Sequence, residues 1–243
     1  RIQRKSRRSA ARFRFLRSMT CNQMGGICMK QKQEYRDKYL KGKELNTLNI
    51  ETERLVLRNF TENDLEALYG IYSDTEVNRF LPWFPLKSME EAETFFKSIM
   101  KNLYDRAGFY GLAVCLKTDN RPIGYIHVSA DDSHDFGYGL KQEFWNQGIM
   151  TEAAKAVIEQ LKRDGISYIT ATHDIKNPRS GSVMKKLGMK YCYSYREQWM
   201  PKNIPVIFRM YQLNLDENES RIYKKYWNEA EVRFVEKMED MGV

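Results

Sequence analysis

A mixed α+β fold, with a mostly antiparallel sheet and flanking helices, is predicted by three features of this 243-residue chain. Short runs that alternate apolar and polar residues recur between Glu53 and Leu215, and they read as about seven strands. Turn-rich links of a few residues, such as TDNR at Thr118–Arg121, join neighbouring runs and mark antiparallel pairs. From Phe136 through Ile169 a strand, a helix and a strand follow in order, and such a unit gives a parallel pair with a crossover.

The elements follow from the residues. Glu53–Phe60 alternates Leu55 and Leu57 with polar neighbours, a strand. Thr61, with Asp64 three residues on, opens a helix to about Tyr72. Ser88 opens another, with Phe95, Phe96, Ile99, Met100 and Leu103 at helical spacing. Phe109–Lys117 and Pro122–Ser129 are the next strands, and Phe136–Leu140 the one after. Gly148–Arg163 is an amphipathic helix with Ala153, Ala154, Ala156, Val157, Ile158 and Leu161 as its apolar set, closed by Asp164-Gly165. Ser167–His173 is a strand, and Pro178 starts a short helix that ends at Lys186-Leu187-Gly188. Lys190–Trp199 and Pro205–Leu215 complete the strands. In the tail, Ile222, Tyr226, Ala230, Phe234 and Met238 lie four apart, which predicts an amphipathic helix over residues 216–243 that covers the domain or a twin subunit in a homodimer.

Charge divides the chain unevenly. The chain has 40 basic and 32 acidic residues, a net charge of +8. Eight basic residues lie between Arg1 and Arg17 with no acid among them, so the remainder carries 32 of each sign. Residues 1–28 therefore read as a basic, disordered extension, and residues 29–49 as a short helical lead-in. Met24-Gly25-Gly26 followed by Met29 is consistent with a natural start at Met29. A neutral body argues against nucleic acid as the main partner. No run approaches the ~20 apolar residues of a membrane span. Cys21, Cys28, Cys115 and Cys192 fit no metal spacing and no disulfide framework, so a reducing cytoplasm is expected, with Cys115 and Cys192 as buried thiols.

Three motifs stand in order. The first is GYGLKQEFWNQGIMTEAAKAVI, which holds Gly137-Tyr138, Phe144-Trp145, Gln147-Gly148 and Thr151-Glu152-Ala153. The second runs from Asn177 through Ser180 and Val183 to Lys186-Leu187-Gly188-Met189, and the third is the opening strand Thr52-Glu53-Arg54-Leu55-x-Leu57-Arg58. Together they resemble the GNAT acetyltransferase superfamily in its ribosomal-protein, RimJ/RimL-type branch. The resemblance spans roughly Ile50 to Leu215, taken as a single acetyltransferase domain over residues 50–215. Met150 and Met189 depart from it, where a smaller residue and Phe are usual. It implies acetyl-CoA as cofactor, and a sheet whose parallel strands, Tyr138–Leu140 and Tyr168–Thr172, splay to admit the pantetheine arm.

Physical chemistry supports the cofactor side independently. The first N–H groups of a helix lack intrahelical acceptors and sit at the positive end of its dipole, so a loop entering a helix binds diphosphate. Asn146, Gln147, Gly148, Ile149, Met150 and Thr151 form that entry, and Gly148 lets the backbone come close. With a neutral body, oriented dipoles are expected to replace lysines here. The family pattern adds Tyr138, Gly139, Leu140, Asn177 and Ser180 as cofactor contacts, with a backbone N–H near Gly139 or Leu140 as the oxyanion donor. Ser180 is the family's proton or hydrogen-bond donor to the departing thiolate.

The acceptor is an amine that must be neutral to attack. An α-amine with pKa near 7.7–8.0 is about one-tenth neutral at pH 7, whereas a lysine near 10.4 is almost wholly charged. A weak base therefore suffices for a protein N-terminus. His134 and Asp135 are the base candidates, with His127 a further one. Trp83 and Phe84, in the Pro-bounded loop Leu81–Pro85, and Glu152 are expected at the substrate. No metal is expected. A small-molecule acceptor such as an aminoglycoside, a polyamine or an amino acid is the alternative, and an acidic pocket is its signature. Glu76, Glu90, Glu91 and Glu93 keep it open. A non-catalytic acyl-CoA sensor, or a nucleic-acid binder using the basic arm, are the readings of another class.

Overall fold

The computed structural model describes residues 48–97 and 108–237. The expectations for residues 1–28, for nearly all of the 29–49 lead-in, and for Ile99, Met100, Leu103 and Met238 fall outside them.

Nine strands form two antiparallel sheets. The first runs β1 (Ile50–Glu51), β2 (Leu55–Arg58), β3 (Tyr110–Leu116), β4 (Pro122–Val128) and β5 (Phe136–Leu140), in sequence order. The second has the order β6 (Tyr168–Asp174), β8 (Ile204–Asn214), β7 (Lys190–Trp199), β9 (Arg233–Phe234). The seven expected strands all form, and two-residue strands extend one edge of each sheet. Five helices accompany them among the described residues: α1 (Leu65–Tyr72), α2 (Met89–Phe95), α3 (Ile149–Arg163), α4 (Pro178–Lys186) and α5 (Lys225–Glu229).

The first sheet is covered on both faces. Leu55, Leu57, Leu112, Val114 and Ile126 point one way, into a core shared with Ala153, Ala154, Val157 and Leu161 of α3. Ala113, Cys115 and Tyr125 point the other way, against Leu68, Ile71 and Tyr72 of α1 and Ala92 of α2. The period-2 alternation of the strands separates these two cores. Cys115 is fully buried, and burial pushes its thiol up to about 11. Cys192 is only half-buried. Before α1 comes a 3₁₀ turn, Glu62–Asp64, where the Asp64 carboxylate accepts the N–H of Thr61 at 2.8 Å and its hydroxyl at 2.9 Å.

The tail corrects one expectation. Among the described tail residues only Lys225–Glu229 is helical, and Tyr226 alone of that turn is buried. At Ala230 the backbone turns extended, and Arg233–Phe234 pairs with Ser194–Tyr195 of β7. An open sheet edge offers this segment backbone hydrogen bonds along its length, and Val232 and Val235 suit a strand better than a helix. Glu236 then anchors it, accepting from Arg209 Nε at 3.0 Å and from the Ser194 hydroxyl. The helical argument for a twin subunit loses its basis with it. Among the described residues no helix is long and apolar enough to cross a membrane.

Candidate active site

Among the described residues the two sheets pair through one parallel backbone bridge, Asp135 to Thr170, beside a shared apolar core. Beyond the bridge β5 and β6 share no ladder. Lys141 N–H bonds Ile123 O and Ser129 N–H bonds Asp135 O, so odd-numbered residues of β5 turn their backbone groups toward β4. Strand alternation then faces Tyr138 and Leu140 into the gap. Of the two expected oxyanion donors, Leu140 N–H therefore faces the gap while Gly139 serves the ladder. Leu140 O is taken by the Trp145 indole N–H at 2.7 Å.

On one side of the gap is a groove of about 730 Å³. Tyr138, Gly139, Leu140, Asn146, Gly148, Ile149, Met150, Thr151, Asn177 and Ser180 all border it. Gly148 caps α3 in the left-handed region, φ +75°, a conformation that favours glycine. Glu152 N–H is bonded to Gly148 O at 3.0 Å and opens the helical ladder, so the N–H groups of Ile149, Met150 and Thr151 precede it. Gln147 does not border the groove. Its amide donates to Glu143 O, and its carbonyl accepts from Arg54 Nη1 at 3.1 Å.

The expectation that dipoles work without cations is corrected here. Arg79, Lys176, Arg179 and Lys186 also border the groove, as does Glu76, which pairs with Arg79 at 3.5 Å. Arg179 lies over the Trp145 ring at 5.0 Å, which fixes it beside the loop. A sequence with balanced charge hides such clustering, because balance says nothing about where each sign gathers.

Opposite lies a second cavity of about 220 Å³. It shares Val77, Phe80, Tyr138, Asn177 and Ser180 with the groove, so the two meet across the gap. At the meeting point the Tyr138 hydroxyl donates to Ser180 O at 2.7 Å and accepts from the Ser180 hydroxyl at 3.0 Å. Burial pushes the Tyr138 hydroxyl pKa up, which keeps it protonated. Asn177 caps α4, its Oδ1 accepting Ser180 N–H at 3.4 Å. The loop carrying Val77 and Phe80 is held by Asp74, which accepts from the Gln142 amide at 2.9 Å, and by buried Asn78, which accepts from Trp83 Nε1 at 3.1 Å.

The remaining predicted residues divide. Asp135, His127 and Trp83 border the second cavity. His134 borders neither; it packs edge-on against Tyr168, and burial lowers its pKa. Its placement does not suit a base. Phe84 is 57% exposed and also borders neither cavity, because the Pro-bounded loop turns Leu81, Pro82 and Trp83 inward and leaves Phe84 outside. Glu152 is corrected too. It accepts from Thr52 Oγ1 at 2.6 Å, Arg54 N at 3.0 Å and Arg54 Nε at 2.7 Å, tying α3 to the turn before β2 and away from both cavities. Burial alone raises its pKa, and those hydrogen bonds reverse the shift and lower it.

Residues 54–190 match the Acetyltransferase (GNAT) domain family. The chain belongs to the GNAT N-acetyltransferases. It is 31% identical over 162 residues to the uncharacterized N-acetyltransferase YnaD of Bacillus subtilis, covering 65% of this chain and 89% of that protein. Among solved structures, a GNAT-family acetyltransferase from Bacillus anthracis is 26% identical with a TM-score of 0.60, over 70% of this chain and all of that one. A Salmonella typhimurium acetyltransferase that modifies the N-terminal serine of ribosomal protein L7/L12 is 19% identical with a TM-score of 0.62, again over 70% of this chain and all of that one.

GNAT acetyltransferases use acetyl-CoA, and this chain's residues fit it. Coenzyme A is a polyanion, and the groove offers free-standing helix-start N–H groups beside four cations. When bound, it supplies an activated acetyl thioester. The GNAT motifs did not expose several residues. Val77 and Phe80 face both cavities only because of the Asp74 and Asn78 loop anchors. Lys176 and Arg179 flank Asn177 in sequence, a signal that was available. His173 borders the acceptor side, buried, with burial lowering its pKa; Gly181 leaves it room, since a Cβ there would stand 2.6 Å from Nε2.

Proposed function

We propose that this GNAT enzyme moves the acetyl group of acetyl-CoA to a primary amine by direct attack, with a protein N-terminal α-amine as acceptor, in the manner of the RimJ/RimL-type branch. The observation that carries the reading is the meeting of the groove and the second cavity at Tyr138 and Ser180. In this reading the N–H groups of Ile149–Thr151, with Arg79, Lys176, Arg179 and Lys186, hold the cofactor's phosphates. Asn177 positions α4, and Leu140 N–H is the donor for the developing oxyanion. The Ser180 hydroxyl, turning from Tyr138, donates a hydrogen bond to the leaving thiolate, which takes its proton from water, while the Tyr138 hydroxyl holds the Ser180 backbone carbonyl in place. Asp135 and His127, on the acceptor wall, take the amine's proton through water. Free thiols at Cys115 and Cys192 suit the cytosol.

A small-molecule amine is the second reading, favoured by one observation. Asp131, Asp135 and Asp174 border the acceptor cavity, and among the described residues no lysine or arginine does. Neighbours of this fold include both kinds: the Salmonella protein above, and a spermidine N-acetyltransferase from Vibrio cholerae, 14% identical, with a TM-score of 0.58 over 68% of this chain and 97% of that one. Calorimetric titration with acetyl-CoA, then mass spectrometry of amines offered to the loaded enzyme, tests the proposal. Saturable binding and acetylated product are expected. A folded protein that gives no heat with acetyl-CoA, or binds it without turnover on any amine, removes it.

A further inference from the structure

The acceptor cavity has a composition of its own. Its walls include Trp83, Tyr125, Phe136, Trp199, Phe208 and Tyr226. The charged side chains among its described lining residues are carboxylates, with no lysine or arginine, while Arg79, Lys176, Arg179 and Lys186, with Glu76, border the groove across the gap.

We infer that this cavity selects a primary ammonium carried beside an aromatic or bulky apolar group, with no carboxylate next to the amine. The inference rests on the acetyltransferase reading and adds the acceptor's chemistry. Aromatic faces attract the ammonium before it loses its proton and also cover the apolar group. Asp131, Asp135 and Asp174 supply opposite charge to the ammonium and repel a carboxylate. A polyamine satisfies the carboxylates but leaves the aromatic wall uncovered. A seryl N-terminus leaves it uncovered as well.

Two sources share this chemistry: a polypeptide beginning with an aromatic residue, and a small aromatic amine such as tyramine. The test offers acetyl-CoA-loaded enzyme a phenylalanyl peptide, tyramine, a seryl peptide, spermidine and free phenylalanine, each followed by mass spectrometry. The phenylalanyl peptide or tyramine is expected to exceed the other three at least tenfold in kcat/KM, and the better of the two identifies the source. Preference for spermidine, the seryl peptide or free phenylalanine overturns the inference and leaves the transferase reading intact. Acetylation of none of the five, with acetyl-CoA bound, overturns the inference; turnover of another amine then decides whether the transferase reading survives. Trp199→Leu, which removes one aromatic face of the wall, and Asp131→Asn, on a half-buried loop, are each expected to raise KM for the preferred amine about fivefold or more with acetyl-CoA affinity unchanged. If both leave KM unchanged, the inference falls.

Discussion

Gly148 gives a prediction whose magnitude can be worked from geometry. It holds φ +75°, and a Cβ added there would meet only Arg54 Nη2, at 3.7 Å, an ordinary contact. The cost of Gly148→Ala is therefore conformational and not steric, about 1–2 kcal/mol for an L residue in the left-handed region. That strain has two outlets. If the loop keeps its shape, the melting temperature falls by a few degrees, at about 2–4 °C per kcal/mol for a chain of this size. If the loop relaxes, the N–H groups of Ile149–Thr151 rotate off the phosphates. Each charge-assisted bond lost is worth about 1.5–3 kcal/mol, or roughly ten- to a hundredfold in affinity. Gly165 is the control. It has φ +78°, nothing within 4 Å, and lies at the far end of the same helix. Both alanine variants are expected to lose similar stability by calorimetric scanning, while only Gly148→Ala weakens acetyl-CoA binding, by about tenfold or more by titration. Wild-type affinity in Gly148→Ala, or an equal loss in Gly165→Ala, would refute the role given to the α3 start.

Three further outcomes follow from the contacts. Ser180→Ala should lower kcat about ten- to a hundredfold with acetyl-CoA affinity nearly unchanged, because Tyr138 still donates to the residue-180 carbonyl and its ring stays seated; a KM effect alone would point to a packing role. Glu152→Gln should cost about 1 kcal/mol or more of stability and leave kcat/KM within twofold, measured by denaturant titration and steady-state kinetics, since that carboxylate braces Thr52 and Arg54 and touches neither cavity. Acid should destabilise the fold in two steps. Burial lowers the His134 and His173 pKa values below 6.5, so stability present above that value declines as pH falls past it. Glu236, raised by burial but brought below 4.5 by Arg209 and Ser194, holds its contribution until pH falls through its lowered pKa, and Glu236→Gln should flatten that second step in a pH series of melting curves.

Much of the fold was legible because its elements are locally consistent. The apolar stripe of α3 and the alternation in β2, β3 and β4 state their buried faces without tertiary information. Gly148, Tyr138, Asn177 and Ser180 were likewise readable, because the order of three motifs ties them together. What escaped depended on the tertiary arrangement. The tail carries a four-residue periodicity that permits a helix, yet the exposed edge of β7 draws it into strand pairing. Glu152 sits in a first helical turn, where an acid is expected for the dipole alone, and only the fold brings Arg54 beside it from about a hundred residues away. His134 and Phe84 lie next to cavity residues in sequence, but their side chains turn elsewhere. The cations Arg79 and Lys186 gather with Arg179 from separate elements, which a count of charges cannot reveal.

The position of the site follows from the topology. β5 fills its outer edge by pairing with β4, and β6 fills its own by pairing with β8. Each sheet thereby has its own ladder, and among the described residues the backbone pairing between them is the bridge of Asp135 and Thr170, beside a shared apolar core. Past that bridge the inner edges diverge, leaving backbone donors and acceptors at Tyr138 and Leu140 with no strand to meet. Buried backbone groups of this kind need a partner, and an extended amide-bearing ligand arm can supply one as an added strand would. The connection from β5 to β6 is α3, so its N-terminus must open at the carboxyl end of β5, beside the same gap. An anion site and an unpaired strand edge thus arise together from one β-α-β connection.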